Sequence, residues 1–195
     1  MSLRSVRRPL LALLLSLMAL LLAACAGQRA RAPAVALPPL HLAPAALGQT
    51  LALQQRLVFS YGERRSTMDA LLEADADEVR LAVQALGQTG VTLRWDGHTL
   101  QQQRAPWLPP QVRAERVLDD LQFALWPAAA VRAALPPGWT LVEEGDQRRL
   151  EQAGRPWLLL IRHDAAHQTL RNLAEGYALE IESAPMDATM DASGQ

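Results

Sequence analysis

The sequence lacks lysine altogether, so its 19 basic side chains are all arginines. One cysteine, two phenylalanines and two tyrosines occur in 195 residues. A lone thiol, Cys25, cannot close an intramolecular disulfide, which excludes the stapled scaffolds of small secreted domains. The apolar run Leu10 to Leu22 falls short of the roughly 20 residues that a spanning helix needs. There is no Gly-x-Ser-x-Gly elbow, phosphate loop or dinucleotide fingerprint. The chain is read as non-enzymatic and without a cofactor.

The N-terminus explains the single thiol. Arg4, Arg7 and Arg8 supply a positive start, the Leu10 to Leu22 run follows, and Leu22-Ala23-Ala24-Cys25 closes it with small residues. This three-part pattern is that of a secretion signal, and its end resembles the lipobox of bacterial lipoproteins. The resemblance implies a signal peptide over residues 1–24, cleavage before Cys25, a diacylglyceryl group on its sulfur and acylation of its new amino group. One acyl chain binds a membrane only marginally, whereas two or more hold a protein there. The non-aspartate residue after the cysteine, Ala26, implies the outer membrane by lipoprotein sorting rules, with the body on the periplasmic face.

Removing residues 1–24 takes three arginines with them, leaving 16 basic against 20 acidic side chains. A mildly acidic body without a basic run argues against nucleic acid as a partner. Residues 25–48 are rich in alanine and proline and nearly uncharged, and read as a lipidated tether. Residues 184–195 read as a disordered tail. The segment between, 49–183, is long enough for one core and too short for two.

Alternation dominates both flanks of that body. Leu51, Leu53, Leu57, Phe59 and Tyr61 share one strand face; Met68, Ala70, Leu72 and Ala74 share another. Val79, Leu81, Val83 and Ala85 follow, then Val91, Leu93 and Trp95, with Asp96-Gly97 as a tight hairpin turn into 98–103. Later, Trp157, Leu159 and Ile161 share a face, as do Tyr177, Leu179 and Ile181. Between the two meanders, Pro109-Pro110 breaks the sheet and a helical stripe appears at Val117, Leu118, Leu121, Ala124 and Leu125. Pro127 suits the first turn of a second helix that Pro136-Pro137-Gly138 ends. The pattern predicts an α+β fold, a curved and incompletely closed antiparallel β-barrel with an inserted helical lid. Phe123 and Trp126 lie off the main stripe, which fits a helix wedged in a half-barrel better than one lying on a surface.

The stretch "ERVLDDLQFALWPAAAVRAALPPGW", Glu115 to Trp139, resembles the central motif of the lipoprotein family called domain of unknown function 3261. "RNLAEGYALEIES" resembles that family's closing strands, and "LRWDGHTLQQQRAPWLPP" its middle hairpin and linker. The family is similar in fold to the outer-membrane lipoprotein carrier and receptor proteins LolA and LolB, open curved sheets around an apolar cavity. Relatives often sit beside genes for aryl-polyene or related lipids. The resemblance implies lipid or lipoprotein handling, with an acyl-bearing ligand and lipoprotein or lipid-export partner proteins. It assigns no ligand-binding residue.

An acyl chain needs only apolar wall removed from water. The wall is expected from Leu57, Phe59, Met68, Leu72, Leu81, Val83, Leu93, Trp95, Leu159 and Ile161, and the lid from Leu121, Phe123, Leu125 and Trp126. Any one of these residues taken alone reads as ordinary core. The five tryptophans could rim a cavity or pack a core. His163 and His167 have a metal-like spacing, but the segment reads as a turn between strands, and no metal is expected. Asp119-Asp120 and Glu143-Glu144 cannot form acid–base dyads as neighbours and read as solvated charges. Arg113, Arg116 and Arg132 read as surface arginines, the alternative being that they hold the lid or meet an anionic head. The rival to a lipid carrier is a scaffold lipoprotein with a filled core, serving an envelope assembly or export complex.

Overall fold

The alternating segments join one sheet. The computed structural model describes residues 35–108 and 112–186. The proposed signal peptide, Cys25, the first part of the tether, Pro109-Pro110 and the last nine residues lie outside them. Five strands, β1 (Leu51–Tyr61), β2 (Arg64–Ala74), β3 (Val79–Ala85), β4 (Gln88–Trp95) and β5 (Leu100–Arg104), form the first meander. Helices α1 (Ala114–Leu125) and α2 (Ala128–Ala134) follow. The second meander is β6 (Trp139–Glu144), β7 (Gln147–Gln152), β8 (Arg155–Arg162), β9 (His167–Asn172) and β10 (Tyr177–Pro185).

All ten strands are antiparallel, in the order β5-β4-β3-β2-β1-β10-β9-β8-β7-β6. The β1–β10 seam joins the meanders, setting Leu57 opposite Ile181 and Phe59 opposite Leu179. The two ends of the order, β5 and β6, are not paired with each other, so the sheet is open. Side chains as far apart in that order as Val83 of β3 and Leu170 of β9 border the same hollow, which requires a curved sheet. Helix α1 packs against β4 and β5, and α2 against β6. The coarse expectation therefore holds: an unclosed antiparallel sheet with helices inserted between its halves.

Three local expectations are corrected. Asp96 Oδ1 accepts from the backbone N–H groups of His98 (2.8 Å) and Thr99 (2.7 Å), so the turn is wider than expected and β5 starts at Leu100. Strand β10 continues to Pro185, with Met186 N–H donating to Ala52 at 2.9 Å, so the ordered body outlasts residue 183. The largest correction concerns the supposed tether. Residues 37–47 form a strap across α1, in which Leu40, Leu42 and Leu47 are buried and Pro44–Leu47 make a short 3-10 turn. Leu40 N–H donates to Asp119 Oδ1 (2.8 Å) and Leu42 N–H to Gln122 Oε1 (2.9 Å). Gln122 Nε2 returns a bond to Leu42 O (2.9 Å), and the indole N–H groups of Trp95 and Trp126 donate to Leu42 O and Ala43 O. Asp119 and Gln122 lie one turn apart on α1, so they match successive inward N–H groups of an extended segment.

Arg148 of β7 holds the other end of α1. Its Nη1 donates to Phe123 O (2.7 Å) and Trp126 O (2.8 Å), while Nη2 lies 2.7 Å from Glu143. A cation at the last carbonyls satisfies groups that a helix end leaves open and suits its dipole. Arg148→Met should cost about 2–3 kcal/mol, since two buried carbonyls lose a charge-assisted donor. Urea unfolding checks this, and an unchanged midpoint would show the clamp to be dispensable.

Candidate functional site

A hollow with about 110 Å³ open to water-sized molecules lies between α1 and the inner face of the sheet. The sheet contributes Leu57, Phe59, Met68, Leu81, Val83, Val91, Leu170, Tyr177, Leu179 and Ile181; α1 contributes Val117, Leu121, Ala124 and Leu125. Trp107, Gln84 and Arg113 also line it and are exposed, so they mark its mouth. Arg104 shapes the adjoining linker by donating to Leu108 O (2.6 Å) and Val112 O (2.7 Å).

Seven of the fourteen expected wall and lid residues meet here: Leu57, Phe59, Met68, Leu81, Val83, Leu121 and Leu125. Five others are packed core. Leu72, Phe123 and Trp126 are fully buried, Leu93 is buried, and Trp95 is held by its bond to the strap. Leu159 and Ile161 stand on the other face of β8. Register fixes this, because Leu160 pairs with Leu170 and Leu158 with Asn172, placing the even positions inside. Of the tryptophans, only Trp107 borders the hollow, while Trp157 stacks under Arg155 with the guanidinium 4.3 Å from the ring.

The polar side of the hollow was not foreseen. Asp119 and Asp120 are not solvated, at 5% and 8% exposure, and Arg116 is no surface arginine at 6%. Arg116 Nη2 pairs with Asp119 Oδ2 at 3.1 Å, an i,i+3 contact, and its Nε stands 3.3 Å from Asp120 Oδ1, an i,i+4 contact. The second contact has ion-pair distance without hydrogen-bond alignment, leaving Nε and Oδ1 unpartnered within the chain. Tyr177 OH donates to Asp120 Oδ2, and Asn172 Nδ2 donates to Tyr177 OH at 3.0 Å. Burial raises the Asp120 carboxyl to about 7, against the pull of Arg116. It also raises Asp119, again against Arg116, and pushes the Tyr177 phenol up. The spacing of Arg116 from the two aspartates was the available signal.

The other arginines are engaged as well. Arg113 pairs with Glu175 at 2.8 Å, tying the start of α1 to the β9–β10 turn. Arg132 Nε donates to Leu141 O at 3.3 Å and reaches Glu143 at 3.8 Å. Glu143 and Glu144 are exposed, as read from the sequence, and lie against Arg148 and Arg149. The segment from His163 to His167 is a turn between β8 and β9, with Asp164 Oδ1 accepting from the N–H groups of Ala166 and His167. A second depression, of about 500 Å³, lies on the outer face of β2–β5 beside Leu71, Glu73, Arg80 and Arg94. Its charges are already matched, Arg80 with Glu73 at 3.2 Å and Arg94 with Glu78.

Residues 52–185 match the model of the family described as protein of unknown function (DUF3261). No curated protein matches the chain.

Proposed function

The chain belongs to the DUF3261 family, and from that premise we propose that it is a non-enzymatic lipoprotein binding an acyl chain in the hollow under α1. Its fold is then of the LolA/LolB kind. Its Cys25 carries lipid that anchors it to the periplasmic face of the outer membrane, and its work is localising lipoproteins or aryl-polyene-type lipids with export partners. The observation that carries this reading is an apolar hollow, bordered by strands from both meanders and one helix, with its mouth at Trp107. Acyl chains need apolar wall and no directional partner; each buried methylene supplies about 0.8 kcal/mol, and the roughly ten that reach micromolar binding would require the 110 Å³ hollow to widen around the chain. The packed core at Leu72, Phe123 and Trp126 favours the rival scaffold reading.

Displacement separates the two. A fluorescent fatty acid should bind the purified full chain and be released by long-chain lipid. Leu121→Glu should weaken that binding about a hundredfold, because a carboxylate is costly in an apolar hollow. Leu121 is only half-buried, so the circular dichroism should stay unchanged. A probe that never binds, together with no lipid co-purifying by mass spectrometry, would leave the scaffold.

A further inference from the structure

The hollow contains more polar atoms than the chain satisfies. Arg116 and Asp120 both line it, and both are more than nine-tenths buried. Arg116 Nε and Asp120 Oδ1 have no hydrogen-bond partner within the chain, and neither does Gln168 Oε1 on the same lining. Buried polar atoms have given up water, so unpartnered ones are uncommon in folded chains.

We propose that this group receives the polar linkage of the acyl ligand, and that it selects an uncharged ester or amide over a phosphate head. The inference rests on the reading of the hollow as an acyl site. The carbonyl oxygen accepts from Arg116 Nε–H, and Gln168 Oε1 accepts from a neighbouring amide N–H or hydroxyl. Charge decides against an anionic head. The Arg116 guanidinium already meets Asp119 at 3.1 Å and faces Asp120 at 3.3 Å. A phosphate would bring further negative charge to one cation shared by two carboxylates, away from water, and would pay its own desolvation. A carbonyl asks only for the donor that is free.

Three competitors of equal chain length test this against a fluorescent fatty acid bound to the full chain: dodecane, monolauroylglycerol and lauroyl lysophosphatidate. Monolauroylglycerol should displace the fluorophore at about tenfold lower concentration than either of the others, the scale of one hydrogen bond. Arg116→Met should bring the ester level with dodecane and leave dodecane unchanged. Arg116→Met also removes buried ion pairs that stabilise the fold, so Asp120→Asn and Gln168→Leu serve as second variants. Asp120→Asn should keep the ester's advantage and narrow the gap to lysophosphatidate, and Gln168→Leu should reduce the ester's advantage alone. Equal displacement by ester and dodecane in the native chain overturns the inference and leaves the acyl site standing. Stronger displacement by lysophosphatidate also overturns it. Failure of all three competitors instead removes the acyl reading itself.

Discussion

A chain beginning at residue 49 should show no cooperative unfolding transition, whereas one beginning at residue 35 should keep it. The cut removes Leu40, Leu42 and Leu47, all buried. At about 2 kcal/mol for each buried leucine, the loss is roughly 6 kcal/mol. It also strips partners from Asp119, Gln122 and the indole N–H groups of Trp95 and Trp126. Each buried polar group left without a partner costs a further 1–3 kcal/mol. Domains have only about 5–15 kcal/mol to lose. The strap is thus the missing layer over α1, and helix and sheet cannot close the core without it. Near-UV circular dichroism and thermal unfolding of the two chains check this. Equal midpoints would mean that the strap merely lies on the surface.

What could be read ahead of the structure follows from where the information resides. In β2 and β3 the apolar residues recur at every second position, Leu71 and Ala82 being the exceptions on the other face, and the buried face is Met68, Ala70, Leu72, Ala74 and then Val79, Leu81, Val83, as the period predicts. In β8, positions 156–161 are all apolar, so the period carries no phase. The phase comes from pairing with Leu170 and Asn172 of β9, so no local pattern tells Leu159 and Ile161 from Leu158 and Leu160. The strap was missed for a different reason. A segment with many alanines and prolines and almost no charge has the composition of a linker, and its stabilising partners are polar side chains about eighty positions away, Asp119 and Gln122. Sequence distance hid the aspartates as well, since Asp119 meets the strap at Leu40 and Asp120 meets Tyr177 of β10, 57 positions away.

Helix α1 is consequently held from two sides. The strap takes its polar flank through Asp119 and Gln122, and Arg148 takes its last carbonyls through Phe123 O and Trp126 O. The flank carrying Arg116, Val117, Asp120, Leu121, Ala124 and Leu125 faces the unfilled volume. On the proposed acyl reading, an entering ligand would work against a helix anchored at its far end, and the mouth near Arg113 is the place where giving way costs least. There the Arg113–Glu175 pair is exposed, and such pairs contribute little in water.

Stability should fall as pH rises from about 4 to about 7, and Asp120→Asn should remove most of that slope. Burial holds the Asp120 carboxyl at about 7, whereas an unfolded aspartate releases its proton near 3.8. Between those values the folded chain keeps a proton that the unfolded chain has lost, so the folded state binds more protons and each step up in pH favours unfolding. Below about 4 both states are protonated and the contribution is fully present; above about 7 both are ionised and it is gone. Three pH units correspond to about 4 kcal/mol. Burial sets the sign; around Asp120, Arg116 draws its pKa down, Tyr177 draws it down by donating a hydrogen bond, and Asp119 and Glu175 push it up. Asp119 is raised too and adds in the same direction, so subtracting the variant's profile from that of the native chain isolates Asp120. The lowered carboxyls Asp75, Asp96 and Asp164 act below pH 4, with the opposite sign. Urea titrations at pH 4.5 and pH 8 measure the difference. A native chain equally stable at both would mean that Asp120 is ionised throughout, matched by Arg116 alone.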